Sequence, residues 1–479
     1  MNEFHLPWLE LGILIPLIGA PVVGRIKNPY IASNVCLVFS CLALAAATGA
    51  WLDFVYLHDS PAHTYEAIDH WHLATRLFGF EVLKIDHLSA PLLPLVALLY
   101  ALTILATLRT KIRRFSFAWA LASESLALAK FSCKEPWVVI ALLAAGTVVP
   151  YLVLRARGKP TRVYVIHMGL FVALMVAGWA LVEYDGDKPV HNLWAISLLL
   201  GAVLIRSGIM PFHCWVTDLF ENATFGSALL FVTPIAGAYA AIRLVLPIAP
   251  DWVLRSLGLI SIATAVYAAG MALVQREGRR FFSYLFISHS ALVLAGLEMI
   301  TPIALTGALH LWISIGLSMT GFGLTLRALE ARRGRLSLAD FQGLYEHTPA
   351  LAICFMLTGL ASVGFPGTIG FVGTELLVDG AVETYPYVGI AVVVASALNG
   401  IAMVKAYFLL FTGTRYSSSV SLQIGIRERL AVLVLTALIL AGGLWPQPGV
   451  ASRHEAAQEL LQHRDAGLSD KPPTRPPAH

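Results

Sequence analysis

The sequence predicts an all-α, polytopic membrane protein of about fourteen transmembrane helices, organised as two related halves that each contain a broken helix. Three observations predict it. The composition is too apolar for a soluble domain, basic loops alternate with acidic or uncharged ones, and two spans carry Gly/Pro interruptions in corresponding places.

Of 479 residues, 57% are hydrophobic and 13% charged, with a mean hydropathy of +0.73. A soluble domain is about 25% charged, so a soluble enzyme is excluded. A spanning helix needs about 20 mostly apolar residues, which leaves little room for a large extramembrane domain. The net charge of +4 follows from basic loops on one membrane face and gives no reason to expect nucleic acid as a partner. Cys36, Cys41, Cys133, Cys214 and Cys354 form no CxxC-type pair, which argues against a metal centre, iron–sulfur clusters, haem or a disulfide framework. The N-terminus lacks a basic n-region and a small-residue cleavage site, and it reads as a retained first span.

Hydropathy places spans at about 9–24, 31–56, 88–108, 115–133, 136–154, 163–183, 191–216, 223–248, 252–274, 281–300, 302–328, 349–381, 387–412 and 427–446. Basic residues fill the loops that follow odd-numbered spans. They are Arg25 and Lys27; Arg109, Lys111, Arg113 and Arg114; Arg155, Arg157, Lys159 and Arg162; Arg276, Arg279 and Arg280; Arg327, Arg332, Arg333 and Arg335; and Arg415, Arg427 and Arg429. The other loops are acidic or nearly uncharged, as at Glu183, Asp185, Asp187 and Glu383. The positive-inside rule then puts these basic loops in the cytoplasm and both termini on the periplasmic side of an inner membrane.

The seventh span is interrupted at Arg206-Ser-Gly-Ile-Met-Pro-Phe-His213 and the twelfth at Phe365-Pro-Gly-Thr-Ile-Gly-Phe-Val-Gly373, with Pro211, Pro366, Gly367 and Gly370 as the helix-breaking residues. Backbone groups freed by Pro and Gly survive at membrane depth only where protein or water covers them. One kink is ordinary, but two in register mark an inverted-repeat transporter. Beyond 447 the chain is polar and is expected to begin as a short surface helix and to end in about ten disordered, Pro-rich residues, and we assign the whole segment no chemistry.

Ionisable residues inside apolar spans are costly and are functional candidates by default. They are Glu124 and Lys130 in the fourth span, His167 in the sixth, Arg206 and His213 in the seventh, His289 in the tenth, His310 in the eleventh, Glu375 in the twelfth and Lys405 in the thirteenth. Histidine suits a proton relay because one nitrogen donates while the other accepts. Each also has a structural reading: Glu124 and Lys130 at opposite ends of a short span, His167 bonded to a backbone carbonyl, His213 anchoring the break. Asp218 and Asp379 lie toward span ends and read as solvated. A buried guanidinium calls for a carboxylate, so Arg206 is expected to pair with one such as Glu124. No nucleotide-binding or hydrolase motif is present, and no cofactor is expected.

The stretch from Arg206 to Asp218, followed by Ser227-Ala-Leu-Leu and Gly237-Ala-Tyr239, resembles the K-S-x-x-x-P-x-H-x-W-L-P-D-A…S-A-L signature of the antiporter-like membrane subunits of respiratory complex I, Mrp antiporters and energy-converting hydrogenases. Arg279-Arg-Phe-Phe-Ser-Tyr-Leu-Phe-Ile-Ser-His289, the break from Phe365 to Glu375, and Asp86-His-Leu-Ser are similar to further motifs of that family, in the right order over about residues 85–415. The resemblance implies two inverted five-helix repeats and proton or cation translocation. On that basis the chain divides into 1–112 (helices 1–3), 113–248 (first repeat, helices 4–8), 249–414 (second repeat, helices 9–13) and 415–479 (helix 14 and tail).

Departures from the pattern are informative. The expected fifth-helix glutamate is Ala145, the broken-helix lysine is Arg206, the eighth-helix Lys or His is Phe231, and two eleventh-helix polar positions are Ser314 and Ser318. Arginine stays charged in proteins and cannot release a relay proton. The first half-channel is therefore expected to be altered or closed, with His289, His310, Lys405 and Glu375 keeping the family chemistry in the second. The expected function is proton or cation translocation within a multi-subunit complex. One form of it couples the protonmotive force to inorganic-carbon uptake with a large soluble zinc protein, as in the similar DAB-type complexes. The alternatives are a pumping module of a complex I-like oxidoreductase or hydrogenase, and a non-conducting scaffold.

Overall fold

Backbone amides and carbonyls left unpaired in hydrocarbon are costly, so a chain this apolar folds into helices that satisfy their own backbones. The computed structural model describes residues 2–58, 66–186, 191–413 and 425–468. Asp187, Arg415 and the tail after 468 lie outside the described residues.

The first helices are α1 (Trp8–Arg25) and α2 (Pro29–His58), followed by the short α3 (Leu73–Phe78). Next come α4 (Leu92–Leu105), α5 (Phe117–Phe131), α6 (Pro136–Ala156) and α7 (Arg162–Asp185), with a 3-10 turn at Arg109–Arg114. The seventh span is split into α8 (Leu193–Ser207) and α9 (Cys214–Asn222). The eighth is split into α10 (Phe225–Val232), α11 (Ala236–Ala240) and a π-helical turn (Ala241–Val245). Then follow α12 (Asp251–Val274), α13 (Gly278–Leu297), α14 (Pro302–Arg333), the split pair α15 (Pro349–Ser362) and α16 (Ile369–Thr384), α17 (Pro386–Phe411), α18 (Ile426–Leu444) and α19 (Gln447–Leu468). Every segment read from hydropathy contains helix. Among the described residues nine helical stretches, one of them the interrupted Phe225–Val245, are long and apolar enough to cross a membrane, and α18 with α19 passes the same test only across a 79° bend.

Both expected breaks are present, and they close alike. Gly208 adopts φ 67° and Gly364 φ 81°, each just past a helix end. Ile209 N–H donates to the Leu204 carbonyl at 3.0 Å, and Phe365 N–H donates to the Leu360 carbonyl at 3.1 Å. This is the Schellman closure, which needs a left-handed residue that only glycine adopts without strain. Gly370 corrects our reading, because it is helical. It is glycine because a Cβ there would lie 2.0 Å from the Ala361 carbonyl oxygen, so α16 starts hard against the end of α15. A third break, in the eighth span, was not foreseen. Pro234 has no N–H to continue α10, and Ile235 turns the chain at φ 46°.

α14 is the axis of the second half. Its 32 residues rise about 48 Å, well beyond a bilayer core of about 30 Å. Nearly every side chain from Ala304 to Leu329 is buried, by α4, α13, α15, α16, α18 and α19. Around such a helix the polar groups must be partnered within the protein.

One end of the bundle is fastened by a cluster that the all-α reading did not anticipate. Strands β1 (Asn2–Glu3), β2 (Glu66–Ile68) and β3 (Lys84–Asp86) form a small sheet in that order, β1 parallel to β2 and β2 antiparallel to β3. Arg243, in the π-helical turn, donates to both carboxylate oxygens of Asp86 at 2.6 and 2.8 Å and to Ser89 Oγ at 2.8 Å. Lys134 Nζ lies 3.2 Å from Asp86 and 2.6 Å from Glu66. Burial opposes ionisation of Asp86, but Arg243 and then Lys134 outweigh it and hold its carboxyl well below the usual carboxylate range. From the tail side, Arg453 of α19 donates to the His87 carbonyl at 2.6 Å. The tail thus begins as a 22-residue packed helix, longer than the short surface helix expected.

We expect Asp86→Ala, which strands the Arg243 guanidinium in the interior, to destabilise the protein by about 3–5 kcal/mol in thermal denaturation; unchanged melting would contradict the clamp. A depressed carboxylate stabilises above its unfolded pKa of about 3.9 and loses that contribution as pH falls through the folded value. The clamp should therefore hold at any pH above about 5.

Candidate functional site

The seventh-span break frees carbonyls at the end of α8, and side chains cover them. Trp215 Nε1 donates to the Ile205 carbonyl at 2.7 Å. Arg206, one residue from the end of α8, is buried. Its Nη2 donates to the Phe231 carbonyl at 3.3 Å, and its guanidinium stacks over the rings of Phe231 (4.1 Å) and Trp215 (5.6 Å). Lys130, also buried, lies over Phe131 and shares one small cavity with Arg206, Tyr100, Ser123 and Phe231. Neither cation has a carboxylate partner among the described residues. The expected Arg206–Glu124 pair does not form. Glu124 instead accepts from Ser40 Oγ at 2.8 Å on the α2 side, and its second oxygen has no partner among the described residues. The reason is the facing of α5: Ser123 and Lys130 line the cavity with Arg206, whereas Glu124 does not.

In the second half the buried polar groups include histidine, hydroxyl and amide side chains. His289 on α13 meets Asn399 of α17, with Nδ1 3.3 Å from Nδ2, and Asn399 also donates to Ser288 Oγ at 2.8 Å. On α14, His310, Ser314 and Ser318 recur every four residues and so share one face over about 12 Å of axis. All three are buried, and among the described residues neither ring nitrogen of His310 nor either serine hydroxyl makes a hydrogen bond of good geometry. The stripe faces the second break, since a Cβ on Gly370 would lie 3.0 Å from Ser314 Oγ. One turn further, Thr306 Oγ1 lies 3.2 Å from Nδ1 of His454 on α19, and His454 Nε2 lies 2.9 Å from Gln458. Gly449 of α19 sits over the His310 ring, where a Cβ would come within 3.0 Å of Cε1.

The remaining candidates are not drawn in. His167 is half-buried and bonds the Val163 carbonyl of its own helix at 2.8 Å. His213 packs edge-on against Tyr267 and also contacts Tyr284 at the first break. Glu375 and Lys405, expected to be buried, are exposed on this chain's surface. Glu375 points away from α14 on a helix that packs its other face, and Lys405 Nζ donates to the Leu273 carbonyl at 2.9 Å, near the end of α12. Sequence reasoning missed the stripe as a unit, although the spacing 306, 310, 314, 318 was legible. It also missed Glu298, which is buried beside Ser261, and His454, which stands in the tail given no chemistry.

The family model described as NADH:quinone oxidoreductase/Mrp antiporter, TM matches residues 179–399. NADH-quinone oxidoreductase subunit M of Mycobacterium tuberculosis is 28% identical over 281 residues, covering 57% of this chain, so the match spans 50% of that relative's length. Subunit M of Pseudomonas aeruginosa is 26% identical over 95% of this chain and 98% of its own. A chain of respiratory complex I from Thermus thermophilus with bound NADH superposes with a TM-score of 0.83 at 21% identity, over 95% of this chain and 99% of that one. A chain of the Mrp complex from a Dietzia species gives 0.81 at 18% identity, over 96% and 99%. At these identities the two structures show a shared fold.

Two basic side chains without a carboxylate in one small buried cavity repel each other, and each costs desolvation. We expect Arg206→Met, which keeps the apolar stem against Phe231 and Trp215, to leave the melting temperature unchanged or raised; a fall of several degrees would show that an unrecognised anion balances the pair.

Proposed function

We propose that this chain, whose residues 179–399 match the family model described as NADH:quinone oxidoreductase/Mrp antiporter, TM, translocates protons across an inner membrane through its second half, as one subunit of a larger membrane complex. The observation that carries the reading is the stripe of His310, Ser314 and Ser318. Buried polar atoms without protein partners call for ordered water, and an unwound helix beside them supplies further backbone groups to bind it. Histidine and hydroxyls joined by water can pass a proton by exchanging donors and acceptors.

The route continues past Thr306 to His454 and Gln458, so α19 forms its outer end. In this reading the basic loops are cytoplasmic, both termini are periplasmic, and the route opens to the periplasm. The division into 1–112, 113–248, 249–414 and 415–479 follows the two broken spans, whose matched closures at Gly208 and Gly364 favour it. The first half serves as an electrostatic wall: Lys130 and Arg206 face one cavity without a carboxylate, and Arg206 cannot give up a proton. Glu124, His167 and His213 have structural roles around that wall, while His289 and Asn399 flank the second route.

Glu375 favours assembly with other membrane subunits. It lies in the apolar span with Asp379 and Glu383 at intervals of four, all exposed on one face of α16. A carboxylate at that depth faces protein or water rather than lipid, so a neighbouring subunit covers it and receives or supplies the proton there. Lys405 stands at the rim as a fixed charge. The relatives named above are oxidoreductase subunits, and the structural matches come from complex I and an Mrp complex. These favour a complex I-like or Mrp-like module. The inorganic-carbon uptake and the soluble zinc partner expected from the sequence find no support in them.

The test is proton flux driven by a potassium diffusion potential in proteoliposomes. His310→Ala should lower flux by about tenfold or more, the scale on which a positioned proton-transfer group acts. Gly449→Leu should do the same by filling the space over the ring. Glu375→Gln should reduce flux only when the neighbouring subunit is present. Fluxes equal to wild type for both His310→Ala and Gly449→Leu would reject the route.

A further inference from the structure

Away from the route, at the end of the bundle that carries the arginine clusters, a cavity of about 90 Å³ opens to the surface between α6, α10, α13 and α14. Arg114, Arg157, Arg279 and Arg327 line it, against one carboxylate among the described residues, Glu330. That carboxylate is already engaged. Arg279 donates to both of its oxygens, at 2.7 and 2.5 Å, and to the Phe220 carbonyl at 2.7 Å. Arg327 extends from α14 with one amino group on the Thr103 carbonyl (3.0 Å) and the other on Thr107 Oγ1 (2.9 Å), and it stacks over Phe115. Neither Arg327, Arg114 nor Arg157 pairs with a carboxylate among the described residues. The first turn of α10 opens on the same cavity, with Thr224 as its cap, and its amide dipole adds to the positive field.

We propose that this cavity is a binding site for an oxyanion of the phosphate class, supplied either as the free anion or as the headgroup of an anionic phospholipid. Like charges held around a cavity cost energy that a bound anion removes, and the planar forks of Arg114 and Arg157 match tetrahedral or planar oxygens in a way lysine does not. Arg157 reports the crowding. Burial, then Arg279 and Arg114, press its guanidinium below the usual range. The site makes no use of the proton route, and its occupancy would brace the ends of four helices.

The experiment follows thermal unfolding of the delipidated protein, in mild detergent with whatever subunits co-purify. One arm titrates inorganic phosphate against chloride at matched ionic strength. The other compares mixed micelles containing phosphatidylglycerol or phosphatidylcholine. Wild type should show saturable stabilisation in at least one arm. Arg157→Gln, an exposed substitution that spares the fold, should weaken it about tenfold or more, the scale of one charge-assisted hydrogen bond. Arg157→Lys should fall between the two, and Arg25→Gln on α1 should respond as wild type does. Stabilisation by phosphate identifies the free anion, and stabilisation by phosphatidylglycerol alone identifies the headgroup. No response in either arm, or equal responses from Arg157→Gln and Arg25→Gln, would overturn the site.

Discussion

Hydrocarbon accepts no unpaired polar atom, and this constraint shapes nearly every feature of the chain. Each place where the helical ladder stops must be closed locally, as at Gly208 and Gly364, where the same turn returns two amides to the preceding helix. Where closure leaves a carbonyl over, a side chain covers it, as Trp215 does for Ile205. At the bundle end, Asp86 and Arg243 neutralise each other across 157 residues of sequence and tie the strands to the π-helical turn. Along His310, Ser314 and Ser318 the buried polar atoms find no protein hydrogen bond among the described residues.

The two halves meet the constraint differently. Around the first break the Arg206 charge is permanent and lies, with Lys130, against aromatic rings, while the buried Glu124 carboxylate faces Ser40. Around the second, histidine and hydroxyls can change donor for acceptor without creating a fixed charge. A fixed charge sets a potential, whereas an amphoteric group passes a proton. The difference follows from single residues, with alanine at position 145 and arginine at 206 on one side, and serines at 314 and 318 on the other.

Much of this was legible in the sequence. Span positions follow from hydropathy, and the two breaks from glycine and proline, because both signals are local. The burial of Glu124, Lys130, Arg206, His289 and His310 was legible too, since an ionisable residue deep in an apolar run has few other places to go. The facing of Glu375 and Lys405 was not. A membrane helix is apolar all round, so its periodicity does not tell a protein-facing side from an outward one. The Asp86–Arg243 clamp and the reach of His454 to Thr306 depend on contacts between distant segments. The Arg206–Glu124 pair failed because the need for a counter-ion does not specify where the partner's helix will sit.

The account stands on water within the second half. The most direct measurement is a density map of the protein in its native complex, at a resolution that shows ordered solvent. Water molecules in file between His310, Ser314, Ser318 and the turn at Gly364 would agree with it. A dry, tightly packed stripe, with those hydroxyls bonded only to their own helix, would contradict it.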